Sequence, residues 1–362
     1  MILMALDHTR DYFSNLRFPP ENLAKATPAL FATRWVTHFC APVFFLLAGV
    51  GASLAVSAGK SRRAMSWFLL TRGLWLIVLE MTVLQFAWNF SIGFPLFLIV
   101  IWALGWSMIV LAALIFLPRW AIATIATTMI ATHNLLDPIR PDAFGALAPL
   151  WHFLHVPGFV LGKALIGYPL IPWCGVMALG YALGAVFEWT PEVRKKILIR
   201  AGIAMVIAFI VLRYFNLYGN PAPWSPQRSV AMTVASFLNL LKYPPSLMYL
   251  LMTLGPAFVA LALLDNLRGR FANAIAVYGR VPMFYYVVHI FVIHLLAYLF
   301  AVLQGGRGDF LGLDTGSFPE WYGTSLAGVY LAWAIVILIL YLPCRWFASL
   351  KSRRKDWWLS YI

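Results

Sequence analysis

Trp35 to Gly59, WVTHFCAPVFFLLAGVGASLAVSAG, holds no Lys, Arg, Asp or Glu over its whole length. An α-helix rises 1.5 Å per residue, so roughly 20 apolar residues cross a hydrocarbon core about 30 Å thick. Inside that core no water is available to the backbone, and a helix satisfies its own N–H and C=O groups. The stretch therefore reads as a transmembrane helix. Similar runs follow it along the chain: Ser66–Trp88, Leu96–Leu117, Trp120–Leu136, Tyr168–Phe187, Ile197–Phe215, Tyr243–Leu264, Val281–Leu303 and Tyr322–Phe347. Asn89–Pro95 reads as a turn, and Asp137-Pro138 opens a Pro/Gly-rich connection. The expected fold is all-α, a polytopic integral membrane helix bundle with nine full spans in a single domain over residues 1–362.

Composition agrees. Charged residues are 11% and hydrophobic ones 62%, against about a quarter charged in soluble domains. The mean hydropathy is +0.81. The 16 Trp and 15 Tyr suit a chain with two membrane interfaces to anchor. A net charge of +14 would suggest nucleic acid in a soluble protein. Here no long basic segment has the polarity of a binding face, so no nucleic-acid partner is expected. Cys40, Cys174 and Cys344 are scattered through apolar runs and form no disulfide or metal motif.

The excess of Lys and Arg is explained by topology. Lys60, Arg62, Arg63, Arg119, Arg194, Lys195, Lys196, Arg200, Arg268 and Arg270 fall in one set of loops, with Lys351, Arg353, Arg354 and Lys355 in the tail. The alternate loops are longer and sparser in cations. By the positive-inside rule the dense set and the C-terminus are cytoplasmic, and Asp7–Arg34 lies outside. Met1–Leu6 reaches only about 9 Å as a helix. It is expected to be the last part of a partial first helix whose beginning is missing, which would make it the least anchored part of the chain.

Ionisable groups at membrane depth are costly and are site candidates by default. Arg72 and Glu80 share a helix about 12 Å apart along its axis, too far to pair directly. Each is either part of a site or bonded structurally to a neighbouring helix. His289 and His294 lie five residues apart, about 140° around their helix, and so do not form a two-ligand metal pair. His152 and His155 have metal-pair spacing, but the Pro-rich loop makes a helix doubtful there. No third ligand accompanies them, and no metal is expected. Asp7-His8-Thr9-Arg10-Asp11 is the densest titratable cluster at an apolar boundary. If the helix continues past Leu6, Asp7 and Asp11 share a face and His8 precedes Asp11 by three residues. A carboxylate beside the imidazole would set its tautomer and raise its basicity, as a general base requires. The alternative is a solvated helix end. His38 opens the next span at the same surface, where Pro42 kinks or begins the helix. Lys242 enters another span from outside, as an interface anchor or as a contact for an anionic acceptor.

The stretches MALDHTRDYF (4–13), TRWVTHFCAPVFFLLAG (33–49), YPLIPWCGVMALGYALG (168–184), FLNLLKYPPSLMYLLMTLGP (237–256) and YGRVPMFYYVVH (278–289) resemble the bacterial DUF1624 family. That family is similar to the catalytic region of heparan-α-glucosaminide N-acetyltransferase and to the wider transmembrane acyltransferases. The resemblance covers nearly the whole chain. It implies transfer of an acetyl (acyl) group from cytoplasmic acetyl-CoA to an extracytoplasmic glycan or glycolipid. It also implies a bacterial inner-membrane location, with membrane lipid, acyl-CoA and the acceptor as partners; a homodimer is an open alternative. In the eukaryotic relative the essential histidine lies in the outer loop between the first two spans. The corresponding loop here, Asp7–Thr37, has His8 at its head and His38 just after it, with no histidine in between. His8, Asp7, Asp11 and His38 are therefore the catalytic candidates. Arg72, Arg119 and Arg280 are candidates for the CoA phosphates. Glu80, Tyr285, His289 and Lys242 are candidates for lining the route. Direct transfer and an acetyl-histidine intermediate both remain open. The competing readings are a transporter or flippase for a polar solute, which would show matched broken helices, and a purely structural membrane subunit.

Overall fold

The computed structural model describes residues 1–91, 93, 95–265, 267–312, 318–354 and 356–362. Lys355 and positions 92 and 94 of the expected Asn89–Pro95 turn lie outside the described residues. In chain order the helices are α1 Ile2–Phe13, α2 Pro28–Thr37, α3 Cys40–Ser57, α4 Arg62–Leu79, α5 Gln85–Asn89, α6 Val100–Leu114, α7 Arg119–Thr132 and α8 Ala148–Leu154. They continue as α9 Leu170–Leu183, α10 Pro191–Tyr214, α11 Val230–Leu238, α12 Leu247–Leu264, α13 Arg270–Arg280, α14 Pro282–Leu303 and α15 Leu326–Arg353. Seven helices among the described residues are long and apolar enough to cross a membrane: Pro28–Ser57, Arg62–Asn89, Leu170–Glu188, Pro191–Tyr214, Leu247–Leu264, Pro282–Leu303 and Leu326–Arg353. The other two expected spans form the shorter helices α6 and α7. The fold is an all-α integral membrane bundle.

Local chemistry sets many of the helix starts. Thr27, Ser61, Ser229 and Ser246 each accept a first-turn amide on their side-chain oxygen, at the heads of α2, α4, α11 and α12. Pro28 and Pro282 stand in the first turns of α2 and α14, where a missing N–H costs nothing. Pro42 sits in the first turn of α3, just after the turn at His38 and Phe39 that separates it from α2. Two departures from the sequence reading concern the loops. Leu96–Leu98 forms β1 rather than the start of a helix. It pairs in parallel with β3, Ala164–Ile166, which pairs antiparallel with β2, Gly158–Val160, giving the order β1-β3-β2. Ala148–Leu154, expected to be irregular, is helical.

The chain folds as two compact units. One comprises Met1–Cys40, Thr82–Gly93 and Leu267–Ile362; the other comprises Ala41–Met81 and Phe94–Asn266. In the first, α1 packs on α14 and α15. Trp333 Nε1 donates to the Ile2 carbonyl at 2.9 Å and Tyr322 Oη to the Tyr12 carbonyl at 2.8 Å, while Ser14 bridges to Thr324. α1 is thus held at both ends, contrary to the expectation of weak anchoring. Tyr285, Tyr286 and Tyr322 are buried in the same unit. In the second unit α4 packs on α6, α7 on α9 and α10 on α12. Trp173, fully buried, stacks on Phe45 at 4.7 Å. Arg213, at the end of α10, is buried and donates to the carbonyls of Phe237, Ala222, Ser236 and Asn239. It satisfies loop backbone and has no carboxylate in that set.

Candidate functional site

The cluster singled out on α1 is helical throughout, and its residues divide by face. Asp7 does not turn toward His8, because adjacent residues on a helix point about 100° apart. Its carboxylate instead pairs with Arg34 Nη1 at 2.6 Å and with Arg10 Nη2 at 3.0 Å. Arg34 Nε also binds Glu21 at 2.7 Å, so one guanidinium ties α1, the following loop and α2 together. Burial pushes the Glu21 carboxyl up, but the charge and hydrogen bond of Arg34 outweigh it and hold Glu21 below the usual carboxylate range. Asp11 is the carboxylate near His8, with Oδ2 4.0 Å from Nδ1, and Arg10 shares it. Nε and Nη1 of Arg10 are buried with no hydrogen-bond partner among the described residues. Arg10, Asp11, Arg17, Glu21 and Arg34 line a cleft of about 530 Å³.

His8 lies beside this cleft at Asp11, and its ring packs among aromatic side chains. Its centroid lies 4.7 Å from Trp88, edge-on, 5.3 Å from His289 and 6.5 Å from Tyr286. Tyr285 and His289 are four residues apart, so α14 stacks their rings at 5.1 Å and 13°. Nδ1 of His289 faces the carbonyls of Tyr285, at 3.0 Å, and Tyr286. Two acceptors there require Nδ1 to carry the proton, which leaves the lone pair on Nε2. That Nε2 and the Tyr285 hydroxyl are both buried without a hydrogen-bond partner among the described residues. Unsatisfied buried polar atoms are rare in native structures and mark a place for a ligand group or water. His8 is 15% exposed and His289 is fully buried. His294 is separate: its Nδ1 meets the Ala87 carbonyl at 3.0 Å and its ring stacks on Phe90. His38 is buried at the end of α2, its amide bonded to the Trp35 carbonyl.

The expected phosphate-binding and route-lining residues fare differently. Arg280 lines an open cleft of about 710 Å³ with Arg270, Asn273, Arg345, Ser349 and Ser352. Sequence reasoning counted Arg270 only as a loop charge and passed over Arg345. The signal was the i, i+4, i+7 spacing of Arg345, Ser349 and Ser352, which places them on one helix face. Arg119 is engaged by Glu188, with Nη1 at 3.1 Å from Oε2, and by Ser57. Arg72 lies over the Phe68 ring at 5.7 Å. Glu80 is buried in a π-helical turn, Glu80–Leu84, and its Oε2 accepts the amides of Ile101 at 2.9 Å and Trp102 at 3.0 Å. It therefore caps the start of α6, the structural bond to a neighbouring helix. Lys242 is buried, with its ammonium 5.2 Å from the Tyr243 ring.

A family model described as heparan-alpha-glucosaminide N-acetyltransferase, catalytic, matches residues 1–218. The match takes in α1 to α10, and hence His8 and His38; α14 and the Arg280 cleft lie beyond it. No curated protein matches the chain. With well over half its length matched, this membrane protein belongs to the heparan-alpha-glucosaminide N-acetyltransferase catalytic family and is of the transmembrane acetyltransferase type.

Proposed function

We propose that this protein transfers acetyl from cytoplasmic acetyl-CoA to the amine or hydroxyl of an extracytoplasmic glycan or glycolipid, at the paired histidines His8 and His289. The observation that carries the reading is that pair: two imidazoles 5.3 Å apart, with a buried Nε2 and a Tyr285 hydroxyl lacking hydrogen-bond partners among the described residues. The cleft at Arg270, Arg280 and Arg345 lies at the start of α14 and the end of α15, and its three guanidiniums suit the CoA phosphates. The cleft at Arg10 and Arg34 lies beside the loop joining those helices at their other ends, with Phe318 in its wall. α14 is about 33 Å long, and His289 stands about 10 Å along it. A pantetheine arm directed along the helix would bring the thioester toward that residue. The acceptor would occupy the outer cleft, where the open N–H groups of Arg10 and the carboxylate of Asp11 suit a polyhydroxylated group.

His8, the more exposed ring, takes the acceptor proton as the acceptor's nitrogen or oxygen attacks the thioester carbonyl. The Tyr285 hydroxyl donates to the oxygen on which negative charge develops. As the carbon–sulfur bond breaks, the CoA thiolate recovers the proton. In the two-step alternative, Nε2 of His289 attacks the thioester carbonyl first and expels the CoA thiolate; the acceptor then displaces acetyl from the imidazole, its proton passing through His8 to the thiolate. Asp7 acts by fixing α1 rather than by orienting His8. The transporter reading drew on intramembrane charge, and one of those charges has a structural assignment: Glu80 caps α6.

The test uses purified full-length protein, radiolabelled acetyl-CoA and a panel of amino-sugar and glycan acceptors. Acetyl transfer is expected, and His8→Ala and His289→Ala should each lower it by about 100-fold or more with acetyl-CoA binding retained. Folded wild-type protein that neither binds nor consumes acetyl-CoA with any acceptor would sink the proposal, as would full activity in both variants. Acetyl retained on the protein after an acceptor-free quench, and lost in His289→Ala, selects the two-step route.

A further inference from the structure

We propose that His133, Asp137 and His155 form a binding site for a divalent transition-metal ion, with zinc as its first occupant. None of these residues takes part in the acetyl-transfer proposal. α7 ends at Thr132, and the chain tightens into a 3₁₀ turn, His133–Leu136, followed by Asp137. The turn brings the side chains of His133 and Asp137 together. His155, the residue at the end of α8, returns to the same place, its amide bonded to the Trp151 carbonyl at 2.8 Å. One ligand atom from each of the three residues falls within 4.8 Å of the other two. Nε2 of His155 is 2.9 Å from Oδ1 of Asp137, and the two imidazole centroids are 5.9 Å apart.

The imidazole nitrogens here are poorly satisfied. His133 and His155 are each 1% exposed. Both ring nitrogens of His133, and Nδ1 of His155, are buried without a well-formed hydrogen bond among the described residues. A buried ring nitrogen in that state is a place for a water or an ion. The surroundings resemble the supporting shell of a metal site. Asn134 Nδ2 holds the second oxygen of Asp137 at 2.9 Å, and its own Oδ1 is fixed by the Leu247 amide at 2.9 Å. The Pro245 carbonyl stands beside His133, placed to accept the N–H that a ligating ring must keep. Trp151 packs on His155 at 5.3 Å.

Two imidazoles and one carboxylate suit zinc with a fourth position open to water; calcium and magnesium prefer all-oxygen sets. A tetrahedral ion with bonds of about 2.1 Å separates its ligands by about 3.4 Å. Closing from 4.8 Å and opening from 2.9 Å to that spacing requires only side-chain movement. The metal would replace the proton between His155 and Asp137. It would also clip the end of α7 to the end of α8 across the Pro/Gly-rich connection. In the sequence the pair with metal-ligand spacing is His152 with His155. His152 instead has Nδ1 at 2.9 Å from the Val156 carbonyl.

The experiment uses full-length protein with its affinity tag removed, stripped with chelator and re-equilibrated with zinc or cobalt. One zinc per chain is expected after desalting, and tetrahedral Co(II) bands should appear in the visible spectrum. Affinity, read by chelator competition, should fall by more than about 100-fold in His133→Gln and Asp137→Asn, beyond the loss of an outer-shell partner. It should be unchanged in His152→Ala. Wild-type protein with an octahedral Co(II) spectrum, or with no more zinc than a His133→Gln/His155→Gln double variant, would overturn the site. The Co(II) spectrum of the wild type decides the matter even if a variant fails to fold. Metal content is read without any acetyl-transfer assay, so failure here leaves the acetyltransferase reading standing.

Discussion

Arg34 shows how a residue near the candidate site acts through its partners. It holds Asp7 and Glu21 together, and removing it takes one of two guanidiniums from the buried Asp7 carboxylate. Loss of one member of a buried pair is far more damaging than loss of both. Arg34→Met is therefore expected to cost about 3 kcal/mol in a reversible unfolding assay, and an Arg34→Met/Asp7→Asn double variant should recover part of it. Glu21 titrates below its unfolded value, so its contribution is present above about pH 4.3 and is lost as pH falls through the folded pKa. Glu21→Gln should flatten that acid limb when melting temperature is followed against pH. The cluster on α1 was legible from sequence because titratable residues crowd an apolar boundary. Which carboxylate lies near the histidine was not, because that depends on where Arg34 arrives.

Two helix contacts carry predictions at the scale of elements. Glu80 caps α6 through a single oxygen, which a glutamine carbonyl can replace. Glu80→Gln should therefore retain stability and acetyl transfer, while Glu80→Ala should lose about 1–2 kcal/mol as a missing cap does. Transfer abolished in a folded Glu80→Gln protein would return this residue to the chemistry. α3 and α9 meet backbone to backbone: a Cβ at Gly49 would lie 2.0 Å from the Met177 carbonyl oxygen, and one at Gly180 would lie 2.0 Å from that of Leu46. Small residues at such crossings permit close packing in membranes. Because the obstacle is backbone, Gly49→Ala is expected to destabilise by about 2 kcal/mol or more, visible as a lower inactivation temperature in detergent. The long apolar helices were readable from composition. β1 and the helix α8 were not, since both depend on contacts made within the connecting segments.

At the scale of the molecule, the loop charges predict the orientation. With the native cysteines replaced, Lys25→Cys should react with an impermeant thiol reagent in intact spheroplasts, and Lys195→Cys only after lysis. The reverse pattern would invert the assignment and exclude His8 as a base meeting an extracytoplasmic acceptor. Membrane residence, all-α class, the helical runs and the family resemblance all follow from the sequence by itself. Hydropathy and helical hydrogen bonding are properties of contiguous segments, summed residue by residue, and need no partner. Only the tertiary structure could pair His8 with His289, join Arg345 to Arg280, assign Glu80 to the amides of α6, and replace His152 by His133 beside His155. Each is a meeting of side chains from separate elements, set by how helices pack and not by what any one helix contains.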